Sequence, residues 1–125
     1  VRIGTSELYR VIENFKEISE GLAIEYKKLN DSEVILFVVT NNKFILNDIL
    51  KNKLINKIKK DLSPKHVPSK IYSVSEIPKT RSGKIVELLI KKIINGEKIE
   101  SKEMLTNPHC IKEYQNIYIK LNKNA

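Results

Sequence analysis

Cysteine, tryptophan and long apolar runs are almost absent from this sequence. Cys110 is the only cysteine among 125 residues, which excludes an internal disulfide and a cysteine-based zinc site. There is no tryptophan, and aromatic residues make up 6% of the chain, so side chains on which nucleic-acid bases could stack are scarce. No apolar run approaches the ~20 residues that span a bilayer. We therefore expect a reducing, cytoplasmic setting and no membrane partner.

Arginine is also scarce, although the chain is basic. Lysine and arginine number 23 against 15 acidic residues, a net charge of +8. Only Arg2, Arg10 and Arg81 are arginines, and the lysines are spread over every segment. Proteins that read nucleic-acid sequence favour arginine for bidentate contacts. We expect a solvated basic surface and no specific nucleic-acid partner, and we keep a lysine-rich nucleic-acid-binding module as the alternative from another functional class.

The apolar pattern predicts one α+β domain over residues 1–125, a small β-sheet with packed helices. Helical spacing predicts helices over residues 5–15, from Asn47 to about residue 62, after Gly83 and after Asn107. Runs of β-branched residues predict strands at 22–26, 34–40 and 71–74, with a turn at 29–33. The run at 34–40 is continuously apolar, which is typical of a buried central strand, and it is a candidate to form a hairpin with the first strand. The segment "SPKHVPSK" at 63–70 is predicted to be extended, because proline restricts the backbone before it.

Residue types that are common at the two ends of helices support these boundaries. The predicted caps are Thr5 and Ser6 for the first helix, Asn47 and Asp48 for the second, Asn95-Gly96 at the end of the third, and Asn107 before Pro108 for the last.

A loop with three like charges, "SEIPKTRSGKIVE" at 75–87, separates the last predicted strand from the third helix. Lys79, Arg81 and Lys84 repel one another, so the loop is either a plain solvated turn or a place where an anion binds. It is not a P-loop, because Pro78 stands where that motif requires its first glycine.

Two stretches in this order resemble the adenylate-forming superfamily, which includes acyl-CoA synthetases, peptide-synthetase adenylation domains and luciferases. "PKTRSGK", ending at Lys84, resembles the Pro-x-x-x-x-Gly-Lys motif of their mobile C-terminal domain. "VRIGTSELY" resembles the Gly-x-Arg-Ile-x-x-x-Glu-Ile motif that follows the interdomain hinge. The resemblance covers nearly the whole chain. "LSPKHVPSKIYSV", "IVELLIKKIINGE" and "NPHCIKEY" are similar to acetoacetate–CoA ligases, which share the tyrosine at Tyr9 and whose C-terminal extension fits the helix after Asn107.

The resemblance implies a two-step ligase reaction. ATP, expected with Mg²⁺, and a small carboxylate give an acyl-adenylate and pyrophosphate, and CoA then attacks after the domain rotates. Lys84 would be the catalytic adenylation lysine, Arg2 would contact phosphate of ATP or the adenylate, and Lys59 would bind CoA phosphates. The implied partner is a large N-terminal domain, holding the acyl pocket, that precedes this chain in a longer protein. The isolated chain is expected to be inactive.

Alternatives and departures accompany this interpretation. "PKTRSGK" is the form common in acetate- and propionate–CoA ligases, which are therefore the alternative within the class. Phe15-Lys16 stand where acetate-type ligases carry His-Pro near a structural metal, so we expect no metal site. The remaining residues with reactive or aromatic side chains are predicted to be structural: His66 and His109 as turn and cap residues, Cys110 as an inert thiol, and Tyr114 and Tyr118 as packing residues.

Overall fold

The computed structural model describes residues 5–82, 87–99 and 105–123. The elements are α1 (Ser6–Glu13), β1 (Ile18–Lys28), β2 (Asp31–Thr40), α2 (Asp48–Asp61), β3 (Lys70–Ser73), α3 (Glu87–Ile94) and α4 (Ile111–Lys123). Two 3₁₀ turns, Pro64–His66 and Pro108–Cys110, precede β3 and α4. The α+β prediction is confirmed. Within the described residues, no helix combines the length and the apolar character required to cross a membrane.

The sheet has three strands in the order β1-β2-β3. β1 and β2 form the predicted antiparallel hairpin, and β3 lies parallel to β2 after the crossover through α2. Both hairpin strands are longer than predicted, because their polar ends also pair, from Lys28 opposite Asp31. The turn is therefore confined to Leu29 and Asn30, not residues 29–33.

β2 is the buried central strand that its composition predicted. Ile35 and Phe37 pack on one face of the sheet with α3 and α4. Leu36 and Val38 pack on the other face with α1 and α2. All four side chains are 0% exposed. The sheet is thus the middle of three layers, and the period-two alternation of a strand separates the two cores.

Two predictions about local backbone need correction. Asn47 caps α2 as predicted, since its side chain accepts a 2.9 Å hydrogen bond from Leu50 N. Thr5 stands at the N-cap position of α1 but makes no capping bond with its side chain, because its own backbone is helical (φ −84°, ψ −18°). The segment 63–70 is not extended throughout, since Pro64–His66 forms a 3₁₀ turn.

The C-terminus of α3 ends in a Schellman motif, as Asn95-Gly96 predicted. Gly96 has φ 74°, a left-handed conformation that costs glycine little. Gly96 N–H donates to Ile93 O over 3.1 Å and Glu97 N–H donates to Lys92 O over 2.8 Å. Two carbonyls of the last helical turn, which the helix itself leaves without partners, are therefore paired.

Side chains from helices on both faces of the sheet bind the backbone of β1 on the side away from β2. The Tyr9 hydroxyl accepts a 2.9 Å hydrogen bond from Ala23 N. Asn95 Oδ1 accepts from Lys27 N over 2.8 Å, and Asn95 Nδ2 donates to Glu25 O over 3.0 Å. A single amide side chain thus pairs two backbone groups of the strand.

Candidate functional site

The charged loop begins after Val74, at the carboxyl end of β3, and its described part ends at Ser82. Ile77 and Pro78 are buried, whereas Arg81 and Ser82 are exposed. The loop is therefore anchored by apolar residues and presents its basic tip to solvent. Lys84, the predicted catalytic lysine, and Arg2 lie outside the described residues.

The start of the loop is held by α4. Glu113 Oε1 accepts a 2.8 Å hydrogen bond from Ser75 N, and the Tyr114 hydroxyl donates to Glu76 O over 2.7 Å. The Tyr114 side chain is 0% exposed and packs edge-on against Phe37, with ring centroids 5.2 Å apart. Tyr114 is thus a packing residue, as predicted, and its hydroxyl fixes the loop backbone to the core.

The middle of the loop is held by Asn107 and its neighbour. Asn107 Nδ2 donates to Ile77 O over 3.0 Å, and Asn107 Oδ1 accepts from Lys79 N over 3.1 Å. Thr106 N donates to Lys79 O over 2.9 Å, and Thr80 forms an isolated antiparallel bridge with Leu105. Asn107 stands at the predicted N-cap position, directly before Pro108, at the start of the 3₁₀ turn that leads into α4. Its side chain makes no capping bond, because its amide is engaged by the loop.

The two described basic residues of the loop, Lys79 and Arg81, differ in their surroundings. Lys79 forms an ion pair with Glu20 of β1, so part of the predicted positive charge is neutralised within the fold. Arg81 is exposed. Of the two alternatives for the loop, a solvated turn or a place where an anion binds, neither predicted the internal partner of Lys79.

A tyrosine links α1 to the first turn of α3, the helix that follows Lys84 in the sequence. The Tyr9 hydroxyl donates to Glu87 Oε1 over 3.2 Å. Burial removes water from the phenolate and, with the nearby Glu87 charge, raises the pKa of Tyr9 to about 12. Tyr9 is therefore neutral at ordinary pH and able to act as a hydrogen-bond donor.

Lys59 does not lie with the loop. It is an exposed residue of α2, and α2 packs on the face of the sheet opposite α3 and α4. Lys59 makes no ion pair with any residue of segments 5–82, 87–99 and 105–123. Its ammonium group is thus open to solvent on α2.

The histidines have polar side-chain partners. His66 Nδ1 lies 2.7 Å from Ser63 Oγ, and His66 Nε2 lies 2.8 Å from Glu7 Oε2. His109 contacts Glu76. Among the described residues, no three His, Cys, Asp or Glu side chains are grouped so that they could hold a metal ion.

Cys110 is buried, with 4% of its surface exposed. Burial, with a smaller effect of the Glu76 charge, raises the pKa of its thiol to about 11. The thiol is therefore protonated at neutral pH and a poor nucleophile, which agrees with the prediction of an inert thiol.

Comparison with known proteins identifies the domain. The sequence profile of the AMP-binding enzyme C-terminal domain matches residues 13–84, more than half of the chain. The chain belongs to the AMP-binding enzyme C-terminal domain family. The charged loop thus lies at the end of the region that the profile matches. Asn107 and the rest of the segment 105–123 lie beyond it.

Among individual proteins, the chain is similar to acetoacetyl-CoA synthetases. An acetoacetyl-coenzyme A synthetase from Rhizobium meliloti is 40% identical over 111 residues, which are 89% of this chain and 17% of that protein. An acetoacetyl-CoA synthetase from Gallus gallus is 37% identical over 94% of this chain and 18% of its own length. The chain thus spans less than a fifth of the length of these curated relatives.

Solved structures agree with this similarity. The acetoacetyl-CoA synthetase from Streptomyces lividans superposes with a TM-score of 0.85 at 28% identity, over 96% of this chain and 18% of that one. An acyl-CoA synthetase from Brucella canis superposes with a TM-score of 0.68 at 29% identity, over 74% of this chain and 17% of its own. The expected C-terminal domain fold of the adenylate-forming enzymes is therefore confirmed.

Sequence reasoning missed three residues that organise the loop. Asn107, Glu20 and Tyr9 bind residues 28 to 78 positions away in the chain. Asn107 before Pro108 has the pattern of a helix cap, and no local signal distinguishes a cap from an amide that binds a distant backbone. The shared tyrosine at Tyr9 was noted in the resemblance, but its partner was not predicted.

Proposed function

We propose that this chain is the C-terminal domain of an AMP-forming acetoacetate–CoA ligase and acts together with an N-terminal domain of the same enzyme. The observation that carries the proposal is the extent of the similarity. The acetoacetyl-CoA synthetase structure covers 96% of the chain, against 74% for the Brucella acyl-CoA synthetase. A match of this extent includes most of the chain beyond the family profile, which ends at residue 84.

In the proposed reaction, a carboxylate oxygen of acetoacetate attacks the α-phosphorus of ATP, and pyrophosphate leaves. The sulfur of CoA then attacks the acyl carbon of the adenylate, and AMP leaves. Lys84 would act in the first step, because a positioned ammonium stabilises the charge that develops on the separating phosphates. Arg2 would contact phosphate of ATP or the adenylate. The exposed Arg81 supports this role by raising the positive potential at the loop tip.

Lys59 would act in the second step, by binding phosphates of CoA. Its exposure on α2, across the sheet from the loop, suits a domain that presents different faces in the two steps. A lysine offers a point charge and not the bidentate fork of arginine, so we expect a modest, salt-sensitive contribution.

The remaining substrates and the setting belong to the same proposal. ATP, CoA and a small carboxylate would be the ligands, and the location would be the cytoplasm. Mg²⁺ would arrive with ATP, since the described residues hold no group of metal ligands for it. An acetate- or propionate-specific ligase is the alternative that differs only in the acyl pocket, which we assign to the N-terminal domain.

A hybrid enzyme tests the proposal. In this hybrid, the chain replaces the matching region of the Rhizobium meliloti acetoacetyl-CoA synthetase. We expect it to form acetoacetyl-CoA, and Lys84→Ala to slow adenylate formation by roughly 10²–10³. Thioester formation from supplied acetoacetyl-adenylate should survive. Pyrophosphate exchange measures the first step, and CoA thioester release measures the second.

The matched control is Lys98→Ala, which removes an exposed lysine after α3 and should alter neither step. If adenylate formation by Lys84→Ala stays within about threefold of the parent hybrid, a difference under ~1 kcal/mol, Lys84 is not the catalytic lysine.

A further inference from the structure

The clamp, by which we mean residues 105–114, provides hydrogen-bond partners along the first half of the charged loop. Its members pair Ser75 N, Glu76 O, Ile77 O, Lys79 N and Lys79 O in turn. The family profile ends at residue 84, so this support comes from a part of the chain outside the shared region. We propose that the clamp holds the loop for adenylation and that Asn107 is its positioning residue. This inference rests on the proposed function.

Asn107 pairs two backbone groups of the loop that flank Pro78. Pro78 has no N–H of its own, and Ile77 O and Lys79 N on either side of it are backbone groups that require hydrogen-bond partners. The amide of Asn107 supplies one donor and one acceptor to these two groups. Alanine supplies neither, and aspartate supplies an acceptor without the donor.

Lys79 precedes Lys84 closely in the sequence, and we infer that the placement of Lys79 limits where Lys84 can lie. Four residues separate them in the sequence, and Thr80, which follows Lys79, forms a β-bridge with Leu105, the first residue of the clamp. Misplacing a catalytic group by about 1 Å can cost on the order of 10² in rate. Loss of the Asn107 contacts should therefore affect the step that uses the loop and spare the other step.

Glu113 and Tyr114 make the clamp contacts that stabilise the fold, since they join the loop to α4 and the core. Asn107 is half-buried and lies before the 3₁₀ turn Pro108–Cys110. Its side chain contacts the loop and makes no capping bond. Replacing Asn107 is thus a change at the loop more than a change in the packing of α4.

Hydrogen–deuterium exchange on this chain and kinetics on the hybrid enzyme test the inference together. We expect Asn107→Ala to speed exchange of the backbone amides in residues 75–82 at least tenfold. In the hybrid it should slow adenylate formation about ten- to a hundredfold and leave thioester formation from supplied adenylate within about twofold. Asn107→Asp should give smaller effects of the same kind. Asn116→Ala, at an exposed position of α4, is the matched control and should give none.

Unchanged exchange in Asn107→Ala would overturn the clamp, and normal adenylation despite faster exchange would overturn the positioning role. An equal fall in both half-reactions would also overturn it, because that is the result of a general structural defect. If Asn107→Ala does not fold, the exchange rates and the two half-reactions are compared in Asn107→Asp instead. Lys84→Ala separates the two proposals. If it leaves adenylation intact, the proposed catalytic role of Lys84 fails. If Lys84→Ala impairs adenylation and Asn107→Ala does not, the inference about Asn107 fails.

Discussion

At the scale of single residues, the hydroxyl group of Tyr9 joins α1 to both β1 and α3. It accepts a hydrogen bond from Ala23 N and donates one to Glu87, and its pKa is raised to about 12. Its usual pKa is about 10. The folded state therefore resists ionisation of Tyr9 more than the unfolded chain does, and this difference links stability to pH.

Tyr9→Phe should destabilise the chain by about 1–2 kcal/mol at pH 8, because Ala23 N loses its partner. The contribution of Tyr9 is fully present below pH 10 and is lost as the pH rises from 10 towards 12. The deficit of the variant should therefore shrink by about 1 kcal/mol at pH 11. Urea unfolding of both proteins at pH 8 and pH 11 measures it, and an equal deficit at the two pH values would contradict the raised pKa.

At the scale of elements, the end of α3 depends on one glycine. Gly96 has φ 74°, and a Cβ added there would lie 2.7 Å from the Tyr118 hydroxyl oxygen. Gly96→Ala should cost about 1–2 kcal/mol for the left-handed backbone, with an additional cost for the close contact. Thermal unfolding measures the loss.

A double variant separates these two costs. Gly96→Ala with Tyr118→Phe removes the hydroxyl oxygen and should recover the part of the contact cost that this atom causes. The backbone cost and the closer approach to the ring carbons, at 3.1 and 3.2 Å, remain. Full recovery would mean that the backbone conformation costs nothing. Lys98→Ala, an exposed change two residues later, serves as the control and should leave the melting temperature unchanged.

The helices and strands could be predicted because the residues that determine them are close together in the sequence. Apolar residues repeat with the period of a helix or a strand, and Asn47 and Gly96 mark helix ends through their own backbone chemistry. The strand lengths were underestimated because the polar ends of the hairpin pair as readily as its apolar middle. The contacts of the loop could not be predicted, because Glu20 lies 59 residues from Lys79 and Asn107 lies 30 residues from Ile77.

At the scale of the whole molecule, the two faces of the sheet carry different candidate groups. The charged loop lies with α3 and α4, and Lys59 lies on α2 across the sheet. A rigid domain of this kind cannot direct both groups at one point without reorienting. The arrangement therefore fits the proposal that the loop and Lys59 act in two successive steps.

Lys59→Glu in the hybrid enzyme should raise the KM for CoA about two- to fivefold at low salt, a loss under ~1 kcal/mol that is typical of exposed charges. Pyrophosphate exchange should stay normal, because that step precedes CoA. Lys60→Glu makes the same charge change at the adjacent exposed position and is the control. If both variants raise the KM equally, the effect belongs to the general basic charge of α2; an unchanged KM in Lys59→Glu removes it from the site.

The hydrogen bonds that helix side chains make to β1, on the side away from β2, affect the tendency of the molecule to aggregate at high concentration. An outer strand with unpaired backbone groups is a template on which a second chain can add a strand and begin to aggregate. In β1 an incoming strand would have to displace the Tyr9 hydroxyl from Ala23 and the Asn95 amide from Glu25 and Lys27. At the other margin, β3 is only four residues long, which leaves little to pair with. Tyr9 and Asn95 thus also oppose edge-to-edge strand pairing between copies of the molecule.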